Sequence, residues 1–190
     1  YISANNRVLA IEPTIQARAR LEKNILRNSL EKRIIVVAGA VTNASGTAKI
    51  HVVPGREEYS SIGSLSHPAI RDSGSIEEVV PCFTLDELVA THGLRPGFMK
   101  IDVEGAERKV LEGAEDTIRK HRPVILTELS DQLLREQGSC AKEVLKIFRQ
   151  WNYKVFDAMY FDLIPGARDF GDLICIPEES PKKKEIEAIF

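Results

Sequence analysis

Carboxylates recur in this sequence where apolar, β-branched runs stop. Val8-Leu9-Ala10-Ile11 closes on Glu12-Pro13. The run from Gly97 to Val103 carries Lys100 and opens into Asp102-Val103-Glu104-Gly105, and the run from Pro123 to Leu129 carries Glu128. If these runs are strands of an open α/β sheet, such side chains lie where ligands bind, beyond the carboxyl ends. A carboxylate at Glu12 can accept both hydroxyls of a ribose, or it can favour the start of the helix that follows. Lys100, Asp102 and Glu104 alternate and so share one side of an extended strand. That spacing predicts a buried ion pair between Lys100 and one of the two acids. Asp102 and Glu104, nearer the strand end, reach the cleft and are candidates for a general base. Glu104 is also a candidate cap for the helix beginning at Gly105, a residue that allows a tight turn. These roles require no metal. An alternative gathers Asp102, Glu104 and Glu128 around Mg²⁺, which prefers oxygen ligands, against a Lys100 that neutralises them.

Other chemistries are excluded by motif. Asp102-Val103-Glu104-Gly105 matches the D-x-x-G of GTPases, but no G-x-x-x-x-G-K-S/T phosphate loop accompanies it. No G-x-S-x-G nucleophile elbow occurs with a suitable histidine. His51, His67, His92 and His121 are scattered without metal-ligand spacing and read as surface residues, His67 being of interest for its place in a long loop. Cys82, Cys140 and Cys175 are odd in number and far apart, so they read as small buried hydrophobes in a reducing compartment.

The elements that must position these groups follow from periodicity. Ile15–Leu30 has helical spacing, and Ile34-Ile35-Val36-Val37-Ala38 is apolar on both faces, as a strand inside a parallel sheet is. Thr47–Val53 alternates as an exposed strand does, and Glu77–Phe83 reads as another strand. Thr84 and Glu87 stand at capping-box spacing. After Gly105 one helix places Ala106, Val110, Leu111, Ala114 and Ile118 on one face. Cys140–Trp151 is helical, and Tyr153–Phe156 and Leu173–Ile176 are strands joined by a loop, which favours an antiparallel hairpin at one edge. Pro54–Ser75 is a long irregular segment of the kind that carries function, and a charged surface tail starts at Pro177. Strand and helix alternate, so the fold class is α/β, mostly parallel with an antiparallel edge strand, in one domain over residues 1–190.

Composition agrees. Of 190 residues, 43% are apolar and 28% charged, which excludes long disorder, collagen repeats and coiled coil. With 26 basic and 28 acidic residues the net charge is −2, unlike a chain built to wrap nucleic acid. No apolar run approaches the roughly 18 residues of a membrane span.

The ordered set of motifs resembles the FkbM-type methyltransferase family. Phe98-Met99-Lys100-Ile101-Asp102-Val103-Glu104-Gly105-Ala106-Glu107 is similar to its central motif, and Arg7-Val8-Leu9-Ala10-Ile11-Glu12-Pro13 to its second-strand motif. Ala38–Thr42 with Ser45–Ala48, Ser60–Leu65, Thr84–Leu88 and Arg122–Glu128 resemble later segments in order. The resemblance implies a Rossmann-like class I methyltransferase sheet of order 3-2-1-4-5-7-6 with strand seven antiparallel. It implies S-adenosylmethionine as cofactor and methyl transfer to a hydroxyl of a sugar or natural product. It also implies cofactor contacts from Glu12, Pro13, Gly39, Ala40, Val41 and Asp102, and catalytic roles for Asp102, Glu104 and Lys100. Glu12 would hold the ribose, and Gly39–Val41 would flank the adenine. The family's first strand and glycine-bearing loop precede its second-strand motif, and no D-x-G-A-N-x-G-like segment is found here. The expectation is therefore an N-terminally truncated member, or else a degenerate one, in which the first strand and glycine loop are missing. The expected partner is a small hydroxylated molecule, with no nucleic acid and no membrane span, in the cytoplasm. The alternatives are a nicotinamide-dependent oxidoreductase and a non-catalytic scaffold.

Overall fold

The structure, a computed structural model, describes residues 6–53, 61–62, 75–159 and 169–180. Most of Pro54–Ser75 with His67, residues 160–168 of the second long loop, and the tail from residue 181 lie outside the described residues. The chain divides into two units, Tyr1–Phe83 and Thr84–Phe190.

In the first unit, β1 (Val8–Glu12) and β2 (Ile34–Ala38) pair in parallel, Val8 opposite Ile34 and Glu12 opposite Ala38. Between them runs α1 (Ile15–Arg27), entered from the extended Thr14. It stops three residues short of the expected Leu30. Ser29 turns left-handed at φ 54°, and the Asn28 side chain bonds back to the Asn24 carbonyl at 2.7 Å. The unit's other sheet contains β3 (Ala40–Val41), β4 (Gly46–Val52), β5 (Ser61–Ile62) and β6 (Ile76–Phe83) in the order β3-β6-β4-β5. Its alternation is that of a half-buried sheet. Ile50 and Val52 of β4 pack with Val80 and Cys82 of β6 and with Ala40.

In the second unit, α2 (Leu85–Thr91) opens with the expected capping box, Thr84 and Glu87 each bonding the other's backbone N–H. β7 (Phe98–Ile101) is followed by α3 (Glu107–Glu112) and α4 (Glu115–His121), where the sequence pattern shows a single helix. The break has a cause in another element. The Asp86 backbone N–H of α2 takes the Gly113 carbonyl, and the Asp86 carboxylate accepts Thr117 N at 2.7 Å and Asp116 N at 3.2 Å. Asp86 thus caps α4, whose own N-cap residue, Ala114, has no polar side chain.

β8 (Val124–Ser130), α5 (Asp131–Glu136), α6 (Ala141–Gln150), β9 (Tyr153–Asp157) and β10 (Phe170–Pro177) complete the unit. The sheet order is β7-β8-β10-β9, with β7 parallel to β8 and β10 antiparallel to both its neighbours. The hairpin is at the edge as expected, with β9 outermost and β10 inside it. This order is the 4-5-7-6 part of the expected sheet, and β1 beside β2 is its 2-3 part. Ile118, Ile125, Leu129, Leu134, Phe148, Leu173 and Ile176 are fully buried between helices and sheet. Each contributes about 1.5–3 kcal/mol of burial free energy. Among the described residues no helix is long and apolar enough to cross a membrane.

Candidate active site

β7 ends at Ile101, so Asp102–Gly105 is a turn and not the end of the strand. The alternation expected for Lys100, Asp102 and Glu104 therefore stops before Glu104. Lys100 is not buried either. Its Nζ meets Asp102 Oδ2 at 2.9 Å, with side-chain exposures of 62% and 44%. Water screens such a pair, which adds about 0–1 kcal/mol. Asp102 holds the Lys100 ammonium protonated beyond its usual range, and Asp172 and Glu128 add to the effect. Lys100 therefore contributes positive charge, not a base.

Glu104 takes a left-handed backbone, φ 48°, followed by Gly105 at φ 96°. Two consecutive left-handed residues reverse the chain within the turn and bring it into α3. Gly105 is required twice over. Its φ suits glycine, and a Cβ there would lie 2.5 Å from the Leu133 carbonyl oxygen of α5. The cap expected from Glu104 is not formed; instead Glu107, the first residue of α3, reaches back to the turn. The residue before α3 is Ala106, with no side-chain cap, and Glu107 Oε1 accepts the Gly105 N–H at 3.1 Å.

Glu107, to which the sequence pattern assigns no role, is buried against this turn. It is 3% exposed, and its Oε2 is buried without a hydrogen-bond partner. Burial raises its carboxyl above the ordinary range, and backbone N–H groups partly offset this. The signal was helical phase. Position 107 lies three and four residues before Val110 and Leu111, on the buried face.

One oxygen each of Asp102, Glu104 and Glu128 lies within 4.8 Å of the others. The structure thus brings together the three acids grouped from sequence. Glu128 is on β8, beside β7, and Asp172 of β10 stands opposite it in register. Burial pushes the Glu104 carboxyl up to about 7, with the charges of Glu128, Asp102 and Glu107 adding to it. This makes stability pH-dependent. Between the ordinary 4.5 and about 7 the folded carboxyl keeps a proton that the unfolded chain has released. Stability from this group therefore falls as pH rises through that window. With divalent ions chelated, Glu104→Gln is expected to stabilise the protein at pH 8 and to lose that advantage at pH 4. Denaturant unfolding at both pH values measures it, and equal effects at the two would contradict it.

In the first unit, Glu12 ends β1. Its Oε1 accepts Thr14 N at 2.8 Å and the Thr14 hydroxyl at 2.6 Å. Glu12 thus holds Thr14, the residue that enters α1. A carboxylate offers about four acceptor sites, so capacity for ribose hydroxyls is left. The Pro13 carbonyl accepts Arg18 Nη1 at 3.3 Å. Gly39 passes so close to β6 that a Cβ would sit 2.7 Å from both the Phe83 ring and the Pro81 carbonyl. Ala40 and Val41 follow as β3, paired with Cys82 and Phe83.

Parallel pairs with an antiparallel strand inside one edge place the chain in the Rossmann-like class of α/β folds. Within that class, a family model described as Methyltransferase FkbM domain matches residues 3–155. The chain belongs to the FkbM methyltransferase family. A solved structure, the methyltransferase FkbM from Methylobacillus flagellatus, is similar in fold with a TM-score of 0.55 at 17% identity. The match covers 90% of this chain and 36% of that one, so this chain spans about a third of its length. No curated protein matches the chain.

Proposed function

We propose that the protein transfers a methyl group from S-adenosylmethionine to a hydroxyl oxygen of a small acceptor, a sugar or natural product. The observation that carries this is membership of the FkbM family across residues 3–155. Both units belong to one methyltransferase domain in this reading. The cofactor supplies an electrophilic methyl on a sulfonium centre.

The chain's part is to bind, orient and take a proton. Cofactor contacts are assigned to Glu12, Pro13, Gly39, Ala40, Val41 and Asp102. Glu12 is held at its strand end by Thr14, which fixes the carboxylate before any ribose arrives. The acidic set after β7 suits a neighbouring positive charge. A neutral alcohol is a weak nucleophile, so a base that accepts its proton during attack lowers the barrier. Asp102 is engaged by Lys100, and Glu104 is the carboxylate assigned as base. Lys100 supports the site through its charge. The buried free Cys82 and Cys175 support a reducing, cytoplasmic setting.

Calorimetric titration of S-adenosylhomocysteine and of NAD into the natural full-length protein tests the reading. Binding of S-adenosylhomocysteine alone is expected. Binding of NAD alone, or of neither, would overturn it.

A further inference from the structure

We propose that the turn after β7 and the facing end of β8 hold one hard divalent cation, Mg²⁺ or Mn²⁺, on Asp102, Glu104 and Glu128. Three carboxylates from two neighbouring strand ends each present an oxygen within 4.8 Å of the others. Carboxylate oxygens at that spacing repel, and their repulsion is relieved by a cation that all three can reach.

An acidic cluster alone is common on protein surfaces. Here a second observation accompanies it. Glu107, whose Oε1 accepts the Gly105 N–H of the same turn, is 3% exposed and leaves Oε2 buried without a partner. Its charge bears on both Glu104 and Glu128. Burying a carboxyl oxygen unpaired beside other acids costs free energy, which either a proton or a nearby cation relieves. Lys100 only partly meets that need. It pairs with Asp102 at the surface, on the side where Asp102 is 44% exposed. Asp172, opposite Glu128, adds a further acid to the same edge.

The donor set is all oxygen, with no histidine or thiol in it, so it selects Mg²⁺, Mn²⁺ or Ca²⁺ over Zn²⁺. Three protein ligands with partial exposure suit an ion that keeps several waters, as Mg²⁺ does. Such a bound cation polarises an oxygen that coordinates it and eases loss of its proton. The site does not rest on the methyltransferase reading, because its geometry lies in this chain alone.

Calorimetry of MgCl₂ and MnCl₂ into chelator-treated full-length protein tests it, with no S-adenosyl compound present. Failure here would leave the methyltransferase reading standing, and the converse holds. One ion per chain is expected. Glu104→Gln and Glu128→Gln should each weaken binding at least about tenfold, since each removes one of three charged ligands. Glu115→Gln, on the exposed side of α4, should leave binding unchanged. A second measurement needs no variant. Sub-stoichiometric Mn²⁺ should first broaden the amide resonances of residues 101–106 and 127–129. No heat and no selective broadening up to about 10 mM ion, beyond the weakest protein calcium sites, would overturn the site. Binding that survives both substitutions, with broadening spread over other acids, would show an adventitious ion only and overturn it equally.

Discussion

Replacing Gly105 by alanine is expected to lower the melting temperature by roughly 10 °C. Two costs act together. At φ 96° an alanine sits in a backbone region that L-residues avoid, which costs about 1–3 kcal/mol. Its Cβ would also lie 2.5 Å from the Leu133 carbonyl oxygen and 2.7 Å from the carbonyl carbon. These are backbone atoms at the start of α5 and cannot rotate aside, so overpacking adds about 1–3 kcal/mol. A total of about 3 kcal/mol or more, at about 2–4 °C per kcal/mol for a chain this size, gives the stated shift. Gly97→Ala is the control, because a Cβ there meets nothing within 4 Å. It should change stability by no more than about 0.5 kcal/mol. Thermal melts by circular dichroism compare the three proteins. A Gly105→Ala protein that melts within about 2 °C of wild type would show that α5 and the turn are not in close contact.

Glu104→Gln is expected to slow methyl transfer by about 10²–10⁴-fold, the usual contribution of a positioned base. Glutamine keeps the size of the side chain but cannot take up a proton at the acceptor hydroxyl. Asp102 is a poor substitute, because Lys100 already holds its Oδ2 at 2.9 Å. The loss should fall on kcat with KM little changed, the pattern of an interaction made in the transition state. Release of S-adenosylhomocysteine, with an acceptor found by screening hydroxylated compounds, measures it. An unchanged kcat would remove Glu104 from the chemistry. Glu115→Gln, in an exposed i,i+4 pair with Arg119, should be silent in the same assay.

What could be read from the sequence was what is local. The β-branched runs at Ile34–Ala38 and Val124–Leu129 became strands because neighbouring residues alone determine their pattern. The capping box at Thr84 is local in the same way. The single helix read from Ala106 to Ile118 fails for a non-local reason. Asp86, some thirty residues earlier, supplies the cap that lets the chain restart at Glu115. β3 and β5 have two residues each, too few for any period to show. In the site, the grouping of Asp102, Glu104 and Glu128 was legible because β7 and β8 are parallel neighbours. The exposure of Lys100 was not, since it shares with Phe98 a face of β7 left exposed, which depends on packing and not on the strand's own pattern. Glu107 was legible in principle through its helical phase, but a glutamate on a buried face is easily assigned to the solvent side.

The position of β10 bears on the order in which the protein can fold during synthesis. Among the described residues β9 pairs with β10 alone, and β10 is made last. When Asp157 has left the ribosome, β9 has no neighbour to join and β8 still presents a free edge. Only when Pro177 emerges can one strand seal both. Until then, two apolar strands wait with open hydrogen-bonding edges, the state in which nascent chains pair wrongly. A ribosome that pauses between the two strands prolongs that exposure, whereas a pause after β10 is harmless.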